Sequence, residues 1–148
     1  MKISQRSLYA LKALIHLAEA LDRGPVKIHE IAQEEAIPEK FLQGILVSLK
    51  NARVVSSQRG REGGYSLRRK PDEIHPGDIL RLFDGPLAPL GDAAELADRI
   101  RLEPRHPGLF DLFLDVRNAA AAILDTARLS DLVERNHHLL AGRSQPAQ

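Results

Sequence analysis

The sequence predicts a mainly α fold with a small β-hairpin, followed by a long C-terminal helix. Apolar residues recur at three- and four-residue spacing through most of its 148 residues, the periodicity of helices buried on one face. Residues 54–67 read instead as strand, glycine-rich loop and returning strand. Aromatic residues make up only 4% of a chain that is 43% apolar, so the core must be built from Leu, Ile, Val and Ala.

The elements follow in order. Leu8, Leu11, Ala13, Leu14, Leu17, Ala18 and Leu21 predict an amphipathic helix over residues 4–21, with Ser4 as N-cap and Gly24-Pro25 as the stop. A short helix over 28–35 turns Ile31 and Ala32 inward. Ile37-Pro38 breaks the chain, and Pro38 sits where a third helix can start. That helix runs to Asn51, burying Phe41, Leu42, Ile45, Leu46 and Leu49 and leaving Lys40, Gln43, Val47 and Lys50 on or near its other side. Helix, short helix, tight turn and helix within fifty residues is the helix-turn-helix pattern. The strands 54–58 and 65–67 then flank Arg59-Gly60-Arg61-Glu62-Gly63-Gly64, which reads as the wing of a winged helix. Its glycines permit a tight tip, and its two arginines can reach phosphates or a minor groove. A nucleotide-binding glycine loop is the competing reading, but such a loop opens a helix, and this one joins two strands.

Beyond Pro71 the chain reads as a short helix over 76–83 ended by Asp84-Gly85-Pro86, a connector with prolines at 86, 89, 104 and 107, and a weakly helical piece over 92–102. Residues 109–127 form the longest uninterrupted helix candidate, with an apolar stripe of Leu109, Leu112, Phe113, Val116, Ala119, Ala120, Ile123 and Leu124. A stripe of this length beyond a small winged helix is most economically buried against a second copy, and dimerisation residues are expected among Leu109, Leu112, Phe113, Val116, Ala120 and Ile123. A helix folded back on its own domain is the other reading. A last helix covers 129–140. The expected organisation is a winged helix-turn-helix domain at 1–71, a connector or sensor segment at 72–108, the dimerisation and C-terminal helices at 109–141 and a flexible tail at 142–148.

Composition narrows the function. The chain has no cysteine, which excludes disulfides, a cysteine nucleophile and any thiolate-held zinc or iron–sulfur cluster. The longest apolar run, residues 119–124, is far short of the ~20 residues of a membrane span. Lys12 and Glu19 interrupt the apolar pattern near the N-terminus, which therefore does not read as a signal peptide; a cytoplasmic protein is expected. The formal net charge of +1 hides an asymmetry: residues 1–70 hold 13 basic against 7 acidic side chains, and residues 71–148 hold 8 against 13. A basic half joined to an acidic half suggests a polyanion-binding module attached to something that does not touch the polyanion. No Ser/His/Asp arrangement, zinc-protease motif or phosphate-binding loop is present, so an enzyme is not expected.

These residues resemble a known group. Ile3-Ser4, Tyr9 to Leu14, Pro25-Val26, Glu30-Ile31-Ala32, Ile37 to Leu42, Ile45-Leu46, Val55-Ser56-Ser57, Arg59-Gly60, Gly63 to Leu67, Pro71, Ile74 and Asp84-Gly85-Pro86 are similar to the IscR/NsrR/CymR-type family of bacterial winged-helix transcription regulators. The resemblance also takes in Met1-Lys2. It is specific over residues 1–90 and thinner at Asp115-Val116-Arg117 and Leu129 to Leu132. It implies a dimer on an imperfect palindrome, with the third helix in the major groove and the wing in the minor groove. By position, Pro38, Glu39, Lys40 and Gln43 would face bases, Arg59 would be the wing arginine with Arg61 beside it, and Ser4, Arg6, Phe41 and Lys50 would lie near the phosphate backbone. In chemistry Lys40 suits a guanine edge and Gln43 an adenine edge.

Two departures stand out. Many members carry three cysteines between the Asp-Gly-Pro segment and the long helix, where this chain offers Asp92, Glu95, Asp98, Glu103 and His106. Of these, Asp92, Asp98, Glu103 and His106 are metal candidates that compete with a solvated charged loop. Arg53 stands where the family usually has glycine, and a positive φ there would strain the turn by roughly 1 kcal/mol. Glu134 with His137 and His138 has helical metal-ligand spacing but also reads as a solvated face, and His16 and His29 read as structural or superficial. The function expected is a homodimeric repressor on double-stranded DNA, with no iron–sulfur cofactor and a non-cluster input from a small molecule or regulatory protein. The alternatives are a partner-controlled protein-interaction module and a small-molecule or metal sensor with little DNA binding.

Overall fold

The computed structural model describes residues 2–87 and 90–144. Met1, Pro89 and residues 145–148 of the expected tail lie outside the described residues. Among those described, seven helices and one two-stranded antiparallel sheet are present: α1 (Gln5–Glu19), α2 (Ile28–Glu35), α3 (Glu39–Asn51), β1 (Val55–Gln58), β2 (Gly64–Leu67), α4 (Pro76–Asp84), α5 (Ala93–Leu102), α6 (Pro107–Thr126) and α7 (Leu129–Arg143).

Ser4 caps α1 as its sequence position suggests, its Oγ accepting from the Ser7 N–H at 3.1 Å. The helix stops two residues earlier than expected because Ala20 leaves helical geometry and the chain tightens into a 3₁₀ turn at Leu21–Arg23 before Gly24 at φ 88°. Its core face is Ala10, Ala13, Leu14 and Leu17; Leu8 faces solvent, one position out of phase with that stripe, and Leu21 does so because it lies in the 3₁₀ turn beyond the helix end. Pro38 is the N-cap of α3 rather than its first residue, and Leu42, Ile45, Leu46 and Leu49 bury completely. Phe41, expected inside, is half-exposed, with its ring edge-on to Tyr9 at 5.6 Å.

Both helices of the turn end alike. Ala36 takes φ 53° after α2, and the Ile37 N–H donates to the Ala32 carbonyl at 2.9 Å. Arg53 takes φ 61° after α3, and the Val54 N–H donates to the Leu49 carbonyl at 2.9 Å. These are Schellman endings whose left-handed position usually holds glycine, and the bulkier residues there cost roughly 1 kcal/mol each. The aliphatic residue that follows each, Ile37 and Val54, is buried in the core and holds the strained turn in place.

In the hairpin, Val55 pairs with Leu67, Ser56 with Ser66, Ser57 with Tyr65 and Gln58 with Gly64. At Gly63 any Cβ would run into the backbone of Gln58, so the turn requires glycine. Tyr65 also bonds Val26 through two backbone bonds of 2.7 and 2.8 Å, an isolated antiparallel bridge that the sequence does not announce.

The second half returns to this core. Leu129 is fully buried within it, its N–H donating to the Ile74 carbonyl at 2.8 Å, and His75 Nδ1 lies 2.8 Å from the Ala127 carbonyl. Asp84, at the end of α4, accepts from the Ser4 N–H at 3.0 Å and from Ser7 Oγ at 2.7 Å, tying α4 to the start of α1. Arg81 of α4 forms a two-pronged pair with Asp125 of α6 at 2.7 and 2.8 Å. The charged piece at 92–102 is a regular helix, because Asp92 and Glu95 form a reciprocal capping box over 2.7 and 2.9 Å. Gly142 and Arg143, expected in the tail, continue α7, and Ser144 caps it. A single glycine weakens a helix by only about 1 kcal/mol, and no proline falls between 107 and 146.

The stripe of α6 divides into two faces. Phe113, Ala120, Ala121 and Leu124 turn partly or wholly inward, Ala121 packing with Leu80 and Leu87 and the helix resting on α5 and α4. Leu109, Leu112, Val116, Ala119 and Ile123 face outward at alternating spacings of three and four. Phe113 and Ala120 therefore belong more to the fold of one chain than to a surface for another.

Candidate nucleic-acid interface

Burying Leu42, Ile45, Leu46 and Leu49 on one side of α3 forces the intervening residues out. Glu39, Lys40, Gln43, Gly44, Val47 and Lys50 are all exposed. Lys40, Gln43, Gly44 and Val47 follow one another at helical spacing, so a cation, an amide, an open position and a branched apolar group share one face. Val47 is 48% exposed. In a major groove such a side chain meets thymine methyl groups. A Cβ at Gly44 would meet nothing within 4 Å, so the helix backbone can approach a ligand closely there. The sequence already puts Val47 on or near this side of the helix without giving it a role, whereas Gly44 does not stand out there; the burial of Leu42, Ile45, Leu46 and Leu49 shows that both complete the face.

The start of α3 has no side-chain cap, which leaves its first-turn N–H groups without a capping side chain. That end of a helix favours phosphate, although Glu39 in the first turn opposes it. Pro38, Lys40 and Phe41, with Gln5 and Tyr9 of α1, line a groove of about 470 Å³. Gln5 and Tyr9 join the site only because α1 packs across α3, which sequence spacing alone does not reveal.

The wing carries Arg59 and Arg61, both exposed and without a partner among the described ion pairs, flanking Gly60 at φ 106°. Two of the expected backbone contacts are more committed. The Ser4 hydroxyl is used in capping α1, and its N–H is bonded to Asp84. Arg6 lies 5.3 Å over the Phe83 ring, and its Nη2 reaches Ser48 Oγ of α3 at 3.5 Å. Ser4 thus positions α1, and Arg6 is held at the α1–α3 seam with its guanidinium still exposed.

The metal candidates in the second half do not converge. Asp92 caps α5, Asp98 pairs with Arg101 at 3.3 Å, and Glu103 accepts from the N–H groups of Arg105 and His106 at 3.2 Å. Each donor serves its own stretch of helix or turn. Among the described residues the metal-competent group lies elsewhere: His16 of α1 with Glu30 and Glu34 of α2, their donor atoms within 4.8 Å of one another. Glu134, His137 and His138 remain exposed on α7.

No described helix is long and apolar enough to cross a membrane. The family model for Rrf2, described as an iron-dependent transcriptional regulator, matches residues 3–135. The chain is 37% identical over 132 residues to the HTH-type transcriptional regulator CymR of Bacillus subtilis, covering 89% of each protein. Its fold matches the structure of CymR, the global cysteine regulator of B. subtilis, with a TM-score of 0.78 and 35% identity over 91% of this chain and 98% of that one. The structure of T. potens IscR matches with a TM-score of 0.75 and 28% identity, covering 100% of this chain and 93% of that one. The solvent-facing third helix, the glycine wing and these likenesses agree: the chain belongs to the Rrf2 family of helix-turn-helix transcriptional regulators.

Proposed function

We propose that the protein is a cytoplasmic repressor that binds an imperfect palindrome of double-stranded DNA as a homodimer, under the control of an input other than an iron–sulfur cluster. The carrying observation is the two-sided α3, buried along one face and presenting Lys40, Gln43, Val47 and Lys50 along the other. Lys40 and Gln43 read base edges, Val47 meets a thymine methyl, and Lys50 and the exposed wing arginines engage phosphates or the minor groove. The outward stripe of α6 supports the dimer, because a heptad-like row of exposed Leu and Val is the pattern that a second helix covers. A palindrome then requires the two α3 helices to sit roughly 34–36 Å apart.

The family description names iron, and the donor set decides which form of it the chain can hold. Iron–sulfur clusters are ligated chiefly by thiolates, and this chain has no cysteine, so it does not fit a thiolate-held cluster. One imidazole and two carboxylates do fit a single divalent ion.

Protection of a palindromic promoter segment by the purified chain, with affinity falling steeply as salt rises, is the expected result. Equal affinity for random duplex at every salt concentration overturns the operator reading.

A further inference from the structure

Where α1 crosses α2, His16 is only 7% exposed, yet its ring is aimed at carboxylates. Its Nδ1 lies 3.0 Å from Glu35 Oε1 and 3.7 Å from Glu34 Oε2. Glu30 stands one helical turn before Glu34 on the same face of α2, and Arg23 reaches it at 2.8 Å. Three carboxylates thus surround a buried imidazole and one guanidinium. With the imidazole neutral, two negative charges remain uncompensated, and like charges one turn apart on a helix destabilise it.

We propose that His16, Glu30 and Glu34 form a mononuclear site for a first-row divalent cation, bridging α1 and α2. One imidazole and a majority of carboxylate oxygens suit ferrous or manganous ions, and a 2+ charge neutralises the surplus. Arg23, an exposed side chain, swings away from Glu30 when the ion enters. The nitrogen that faces Glu34 is the Nδ1 now bonded to Glu35, so the ion displaces that bond and Glu35 turns onto the ion or into solvent. The site lies at the joint between α1 and the first helix of the helix-turn-helix, and an ion there sets the angle between them. The proposal rests on these helices alone and not on the DNA reading.

The test uses the full chain and Mn²⁺ without DNA, following free Mn²⁺ by its electron paramagnetic resonance signal and folding by thermal melting. The wild type is expected to take up one equivalent per chain and to melt higher in its presence. Glu34→Gln, at an exposed position, is expected to keep the fold and weaken uptake by about ten- to a hundredfold, and His16→Gln likewise. Asp92→Asn and Asp98→Asn are expected to bind as the wild type does. Absence of saturable uptake in the wild type overturns the proposal, as does unchanged uptake in folded Glu34→Gln. Loss of uptake only in the Asp92 and Asp98 variants also overturns it, by moving the site to α5.

Discussion

At the scale of single residues, the helix-turn-helix carries local strain that its packing holds in place. Ala36 and Arg53 sit at φ 53° and 61°, in the left-handed region that glycine occupies without a steric cost. Ala36→Gly and Arg53→Gly are each expected to raise stability by about 0.5–1 kcal/mol, read as a higher urea midpoint at unchanged slope. A fall in the midpoint would show that the lost chain entropy outweighs the relieved strain. The interface offers a second contrast. Arg59→Ala is expected to cost roughly 1–3 kcal/mol on the operator and less on random duplex, whereas Lys50→Ala weakens both alike. The difference follows from placement: Arg59 stands beside the glycine tip of the wing, and Lys50 lies in the last turn of α3. Equal losses on both DNAs for Arg59→Ala would assign that residue to phosphate alone.

At the scale of elements, α6 has one face in the fold and one in solvent. Its inward face rests on α4 and α5, with the Arg81–Asp125 pair at its end, and its outward face shows Leu112 at 57% and Ile123 at 67% exposure. Such a row in water costs free energy that a second copy would recover in the proposed dimer. The double variant Leu112→Asp, Val116→Asp is expected to sediment as a monomer with an unchanged helical circular dichroism spectrum and to lose most of its operator affinity. A wild-type monomer at micromolar concentration would remove the dimer from the proposal. Gly77 packs so closely on Asp125 that a Cβ there would displace the carboxylate, so α4 and α6 are fastened by a contact that depends on one missing side chain.

At the scale of the whole molecule, carboxylates fasten α4 on two sides, to α1 through Asp84 and to α6 through Asp125. Burial pushes the Asp84 carboxyl up, but the bonds from Ser4 and Ser7 outweigh this and hold it below its ordinary range. The hydrogen bond from Arg81 holds Asp125 below that range as well. A depressed folded-state value means that the stabilisation is complete above the unfolded carboxylate value of about 3.9 and is lost as the pH falls through the lower folded value. Stability is therefore expected to hold from neutrality to about pH 5 and to fall below that, in urea melts at stepped pH. Asp84→Asn should cost about 1 kcal/mol at neutral pH and flatten the acid slope. An unaltered slope in that variant would assign the acid response to other groups.

The sequence by itself determined what local periodicity and turn chemistry control. The helix-turn-helix, its Ser4 cap, the glycine wing and the outward choice of Lys40, Gln43 and Lys50 all follow from spacing within a few residues. Missing thiolates are likewise a statement about composition, and they exclude a thiolate-held cluster before any folding is considered. Only the tertiary structure decided which residues distant in the chain meet. Val26 joins the hairpin, Leu129 enters the first core, Phe41 turns outward onto Tyr9, and the α6 stripe splits because α4 and α5 claim half of it. His16 shows the division most sharply. Alone on α1 it reads as a structural histidine, and it gains chemistry only because the crossing of α1 and α2 brings three glutamates to one buried ring. Periodicity encodes which face of a helix is buried, but the partner that covers that face is chosen by packing between segments whose separation in sequence carries no local signal.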